Sequence, residues 1–150
     1  MSAPASIGLS LLDRLRGQDG PRVTRIRDGI RADLQDLLNT PQRVTGWPDA
    51  LGELDTSIFN YGILDLCTAN LSTEQQRARV VEEIAAALRQ FEPRLSGMRL
   101  FAVPNADPAD RTLRIRIEAH ILIENEAEPI VFNTVIDPVL NSISLASSSA

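Results

Sequence analysis

The feature that most constrains this chain is a single change of hydrophobic period along its length. From Arg22 to Leu38 the apolar residues fall at Val23, Ile26, Ile30, Leu34, Leu37 and Leu38, which lays one stripe along a helix. A second stripe, Val80, Ile84, Leu88 and Phe91, predicts a helix over about Thr73 to Phe91. Beyond it the period drops to two. Leu113, Ile115, Ile117, Ala119, Ile121 and Ile123 alternate with Arg114, Arg116, Glu118, His120, Leu122 and Glu124, the pattern of a long strand with one buried and one mostly polar face. Shorter strands are predicted over Met98 to Val103, Ile130 to Ile136 and Ser142 to Leu145, separated by turn-rich Pro/Asn/Asp segments. Helices followed by an antiparallel meander define an α+β class, with N-terminal helices packed on one face of a three- to four-stranded, mainly antiparallel sheet.

The element ends carry their own signals. Asn39-Thr40-Pro41 stops the first helix, with Asn39 suited to a left-handed cap and Pro41 unable to continue the hydrogen-bond ladder. Ser72 followed by Gln75 fits a capping box for the second helix, and Glu74 and Arg89 suit its dipole. Between the helices, residues 42 to 72 hold Gly46, Pro48, Gly52 and Gly62 among scattered apolar residues, so short irregular structure is expected there. Trp47 is the expected anchor of that segment against the core. In Ser57-Ile58-Phe59-Asn60-Tyr61-Gly62-Ile63-Leu64-Asp65, Gly62 suggests a tight turn in which Phe59 and Tyr61 plug the core, with a ligand pocket as the alternative.

At 150 residues the chain is one domain's length and can bury a sizeable core without disulfides or a structural metal. Residues 1–20 read as an N-terminal arm with a short helix, 21–146 as a single α+β domain, and 147–150 as a flexible tail. The charge narrows the chemistry. Fifteen basic residues, all Arg, stand against twenty acids, for a net charge of −5, and the absence of Lys excludes a P-loop lysine, a Schiff base and a Ser-Lys dyad. Such an acidic chain is a poor match for nucleic acid. With one Cys (Cys67) and one His (His120), neither an intrachain disulfide nor a Cys/His zinc cage can form. The longest hydrophobic run, Ile84 to Leu88, falls far short of the about 18 residues of a membrane span, and the N-terminus lacks a secretory pattern, so a cytoplasmic location is expected.

An enzyme reading rests on carboxylates. Glu92 with Asp65 or Glu118 is a conceivable glycosidase pair, but among twenty acids some pair can always be nominated, so solvated surface is preferred. His120 on the polar register of the long strand reads as a surface histidine, and Cys67 as buried filler without a cation to activate it. Phe91-Glu92-Pro93-Arg94-Leu95 ends the second helix because the residue before proline avoids the helical region. Glu92 and Arg94 flank that proline, and spacing favours a local salt bridge over an outward-facing polar contact, for which a rigid Arg fork beside a Glu is well suited.

Four segments together resemble a known family. Arg31 to Thr40 (RADLQDLLNT), Ser57 to Asp65 (SIFNYGILD), Phe91 to Leu95 (FEPRL) and Val131 to Pro138 (VFNTVIDP) occur in the order found in the TssE family of type VI secretion baseplate subunits. That family belongs with the phage tail baseplate wedge proteins once labelled lysozyme-like. Thr40-Pro41-Gln42-Arg43 departs from it where members more often run Thr-Arg-Arg. The resemblance implies a non-enzymatic wedge component without cofactor or metal. Its implied partners are TssF and TssG in the wedge, the sheath proteins TssB and TssC, TssK and the spike. It also implies assembly in a baseplate at the inner face of the inner membrane, without membrane insertion. Glu92, Pro93 and Arg94 would match the family's Glu-Pro-Arg motif, which is associated with contacts to the core bundle of the wedge. The same scaffold in a phage tail or phage-derived injection particle is the alternative, and a peptidoglycan hydrolase the remote one.

Overall fold

A computed structural model describes residues 11–15, 21–44, 46–65, 71–107, 109–123 and 126–148. Cys67 and most of the expected N-terminal arm lie outside them. A short helix α1 (Leu11–Leu15) precedes α2 (Arg22–Leu38). Two 3-10 segments follow, Asp49–Thr56 and Ile58–Asn60, and then α3 (Glu74–Phe91). The strands β1 (Leu95–Val103), β2 (Leu113–Ile123), β3 (Glu126–Asp137) and β4 (Ser142–Ser148) form one antiparallel meander in the order β1-β2-β3-β4. The α+β class and the one-sided helical layer thus hold. Strand β4 runs on to Ser148, so the backbone of Ser147 and Ser148, expected in a tail, pairs with Phe132 and Val131.

The core lies between the α2/α3 layer and one sheet face. Ile26, Ile30, Leu34, Leu37 and Leu38 of α2 and Val80, Ile84 and Leu88 of α3 bury their stripes against the odd-numbered residues of β2. Phe132, opposite Ile117, sits fully buried near the centre. Each large aliphatic or aromatic side chain buried this way contributes about 1.5–3 kcal/mol, which is why the packing of stripe on sheet dominates.

Several local expectations shift by a residue or a rotation. The capping box is Thr73–Gln76, one residue later than Ser72–Gln75. The Thr73 hydroxyl accepts from the Gln76 N–H at 3.2 Å, and the Gln76 carboxamide accepts from the Thr73 N–H at 3.1 Å. Both overlapping boxes fit the pattern; buried Leu71, whose carbonyl accepts from Arg77 Nε at 2.9 Å, fixes where the chain enters the helix. Asn39 is not left-handed (φ −89°). Its side chain is employed elsewhere, as described below. Strand β1 starts at Leu95 rather than Met98 and carries a bulge between Ser96 and Arg99, with Gly97 at φ +60°. That extra residue rephases the strand, so Leu95 and Leu100, five positions apart, both face the helices opposite Ile121 and Ile117.

Residues 46–60 bulge away from the core, whereas Tyr61 packs against it. Trp47 is only half-buried and donates from Nε1 to Asp55 Oδ1 at 3.0 Å, and Phe59 is 58% exposed, so neither plugs the core as expected. The excursion is closed at its neck, where Gln42 N–H donates to the Ile63 carbonyl (2.7 Å) and Ile63 N–H to the Thr40 carbonyl (3.0 Å). Gly62 makes this approach feasible: at φ +121°, an added Cβ would lie 2.4 Å from the Thr40 carbonyl oxygen. Gly62→Ala therefore combines backbone strain with a backbone clash and is expected to cost about 3 kcal/mol, seen as a lower urea midpoint with an unchanged slope.

One polar side chain is misplaced in the core. Thr134 is 1% exposed on the helix-facing side of β3, and among the described residues its hydroxyl has no hydrogen-bond partner. Thr134→Val, nearly isosteric, is expected to stabilise the fold by about 1 kcal/mol in urea denaturation.

Candidate functional site

The C-terminus of α3 and the start of β1 meet α2 around Arg94. Glu92 is the residue after the last helical turn, its N–H donating to the Leu88 carbonyl at 2.9 Å, and Leu95 N–H closes a turn onto the Glu92 carbonyl at 3.2 Å. Pro93 prevents the helix from continuing and holds Glu92 out of the helical region (φ −123°, ψ 71°), as the sequence predicts. A carboxylate here is unfavourably placed against the helix dipole and, at 4% exposure, is largely withdrawn from water. Arg94 compensates for both. Its Nε and Nη2 donate to the two Glu92 carboxylate oxygens at 2.5 Å each, a fork-to-fork pair.

The same guanidinium reaches across to α2, where Nη2 donates to Asp33 Oδ2 at 2.5 Å. The Glu92 hydrogen bond, followed by that to Asp33, raises the Arg94 pKa further above its ordinary value despite the opposing effect of burial, so the cation is permanent. The local salt bridge favoured by the spacing is therefore present, and it extends to a third residue 61 positions away in sequence. Asp33 carried no signal of its own; it flanks buried Leu34 on the α2 stripe, and only the helix–helix packing brings it to Arg94.

A cleft of about 380 Å³ opens beside this triad, lined by Asp33, Asp36, Leu37, Tyr61, Phe91, Glu92, Pro93 and Arg94. Tyr61 packs edge-on to Phe91, with centroids 5.3 Å apart and planes at 71°, and ties the end of the 46–60 excursion to the end of α3. Burial first, then Asp36, Asp33 and Glu92, push the Tyr61 phenol above its ordinary pKa, so it stays neutral at any physiological pH. Pro93 is the exposed member of the Glu-Pro-Arg run; Arg94 is half-buried.

The residues weighed as a carboxylate pair do not converge. Glu92 lies on the helical side of the sheet, whereas Glu118 projects from the opposite face, where Arg116 and Arg99 approach it at 3.0 and 3.3 Å. Asp65 lines a separate hollow with Asn39, Asn141 and Ile143. His120 is exposed on the face that carries Glu118.

A second feature lies at the far edge of the sheet. The Asn39 side chain, at the end of α2, behaves like a fragment of a neighbouring strand. Its Oδ1 accepts from the Ile143 N–H and its Nδ2 donates to the Ile143 carbonyl, both at 3.1 Å, while Nδ2 also donates to the Gln35 carbonyl at 2.8 Å. The backbone groups of Ile143 thus point away from β3. Because peptide directions alternate along a strand, those of Leu145 and Ser147 point outward as well.

The site thus consists of a charge cluster that joins α2, α3 and β1, and of an edge strand held at Ile143 by Asn39. Residues 24–126 match the family model described as baseplate wedge protein gp25, and the chain belongs to that family. It is one of phage-type baseplate wedge proteins, which associate with other baseplate proteins. No individually curated protein matches the chain by sequence. Among the described residues no helix is long and apolar enough to cross a membrane.

Removing one member of the triad separates architecture from recognition. Arg94→Ala leaves Glu92 as an uncompensated buried carboxylate and is expected to cost about 3 kcal/mol, whereas the double variant Glu92→Gln/Arg94→Gln, which removes the buried charge together with its partner, should recover most of that loss. Thermal and urea unfolding of the three proteins measures it.

Proposed function

We propose that this chain is a non-enzymatic component of a type VI secretion baseplate wedge. In this TssE role it joins the wedge proteins TssF and TssG and offers the platform on which the TssB/TssC sheath begins. Membership of the baseplate wedge family supports the coarser part of this reading. The observation that carries the sheath part is the edge of β4, which beyond Ile143 pairs with no further strand among the described residues. Ser142–Ser148 contains no charged residue and no proline, the devices by which edge strands avoid pairing, whereas the other edge strand, β1, carries Arg99 and a bulge. A partner strand laid beside β4 finds Ile143 already engaged by Asn39 and pairs with the outward groups of Leu145 and Ser147.

On this reading the domain binds at two places. Glu92, Pro93 and Arg94 form the contact to the core bundle of the wedge, with the rigid fork of Arg94 and the exposed Pro93 set beside the cleft at the end of α3. The β4 edge forms the sheath contact. Location at the cytoplasmic face of the inner membrane follows from the assembly rather than from an anchor. A baseplate wedge of a phage tail or phage-derived injection particle is the second reading, which the family's description fits equally.

Co-purification with TssF/TssG and with TssB/TssC tests the proposal. Ser147→Pro removes an outward N–H without touching the β3 ladder and is expected to reduce sheath capture by roughly tenfold while leaving wedge capture intact. Ser144→Pro, which removes an inward N–H, is expected to unfold the edge instead. Glu92→Gln/Arg94→Gln should lose wedge capture with an unchanged circular dichroism spectrum. Undiminished sheath capture by Ser147→Pro would sink the strand-addition mechanism. Failure of the wild type to bind any of these proteins would favour the injection-particle reading.

A further inference from the structure

Within one chain, the register of a strand pair is set by the turn that joins it. For β3 and β4 that turn is tightly held. Asp137 Oδ1 accepts from the N–H groups of Val139 and Leu140 at 2.8 and 3.1 Å, and Asn141 closes the hairpin at φ +48°. A strand arriving from another chain at the outer edge of β4 has no such turn. Side chains give it little guidance either, because β4 presents small, uncharged Ser144 and Ala146 on the uncovered face, whereas Ile143 and Leu145 are buried in the core. A slip of two residues keeps every side chain on its own face and is the error such an edge must prevent.

We propose, on the strand-addition reading of the β4 edge, that Asn39 is the register stop for the joining strand. Its carboxamide makes the two hydrogen bonds that a residue of a paired antiparallel strand would make, accepting from the Ile143 N–H and donating to the Ile143 carbonyl at 3.1 Å each. The place opposite Ile143 is therefore filled before any partner arrives. The stop is braced from two sides. On the helix side, the backbone N–H and Nδ2 of Asn39 both donate to the Gln35 carbonyl, at 3.0 and 2.8 Å, and Thr40 Oγ1 donates to the Asp36 carbonyl at 2.6 Å. On the other side, the Ile63 N–H holds the Thr40 carbonyl at 3.0 Å. Swinging the Asn39 side chain aside gives up its bonds to Gln35 and Ile143 and leaves the backbone groups of Ile143, a residue only 7% exposed, without partners. A joining strand thus pairs with the outward groups of Leu145 and Ser147 and goes no further toward the hairpin. Moved two residues the other way it loses Leu145 and runs past Ser148, where β4 ends. Asn39 at one end and the strand terminus at the other leave one full register.

The test is a cycle of two substitutions in the full chain, read by capture of the TssB/TssC complex. In the wild-type background Ser147→Pro removes one of the two outward pairing positions, and capture is expected to fall about tenfold. With Asn39→Ala the joining strand can move two residues and pair with Ile143 and Leu145, so adding Ser147→Pro is expected to cost less than about twofold. Asn39→Ala alone should capture at least as much as the wild type. Asn39→Gly, with a residue favoured at helix ends, repeats the cycle should the alanine variant unfold by circular dichroism. Hydrogen exchange of the labelled free chain reads the stop without any partner: the Ile143 amide should exchange slowly and those of Leu145 and Ser147 fast, with Ile143 accelerating about tenfold in the Asn39 variant. A tenfold loss from Ser147→Pro that persists in both Asn39 backgrounds would overturn the stop and leave strand addition standing. An Ile143 amide as fast as Leu145 in the wild type would overturn it too. Undiminished capture by Ser147→Pro in the wild-type background would remove strand addition itself, and the stop with it.

Discussion

The guanidinium of Arg94 is the interaction that joins the end of the helical layer to the start of the sheet. Glu92 ends α3 in a place where its charge opposes the helix dipole and where water is nearly excluded. Two parallel hydrogen bonds from Arg94 make that charge tolerable, and the third, to Asp33, turns a local turn into a clamp between α3, β1 and α2. Pairs of this kind add little net stability over apolar substitutes, but they fix geometry, because a half-formed version is strongly unfavourable. The exit angle of the chain from α3 into β1 is thereby set, and with it the seat of the sheet against the helices.

Everything else follows from a sheet covered on one side. Among the described residues, two helices bury one sheet face, and no helix lies on the second. The molecule treats its two sheet edges differently. Strand β1 is blunted by a bulge and an arginine, whereas β4 is engaged at Ile143 by Asn39 and is otherwise uncharged.

The sequence by itself determined the α+β class, α2 to the residue, the alternation of β2, the stop at Pro93 and the pairing of Glu92 with Arg94. Each of these rests on interactions between residues a few positions apart, or on a period imposed by burial against one flat surface.

Only the tertiary structure decided what those elements meet. Asp33 joins Arg94 and Asn39 mimics a strand for Ile143 across separations of 61 and 104 residues, for which no periodicity exists. The bulge at Gly97 rephases β1 so that Leu95 and Leu100 share a face, which simple alternation puts on opposite sides. Phe59 and Trp47 look like core residues in composition, yet the neck closed at Gly62 holds their segment outside the core, because a glycine allows the two chains to approach where any side chain would collide with the Thr40 carbonyl. Local propensity and periodicity select elements; which polar groups are buried, and which edges stay open, is settled only when the layers pack and every peptide group must find a partner.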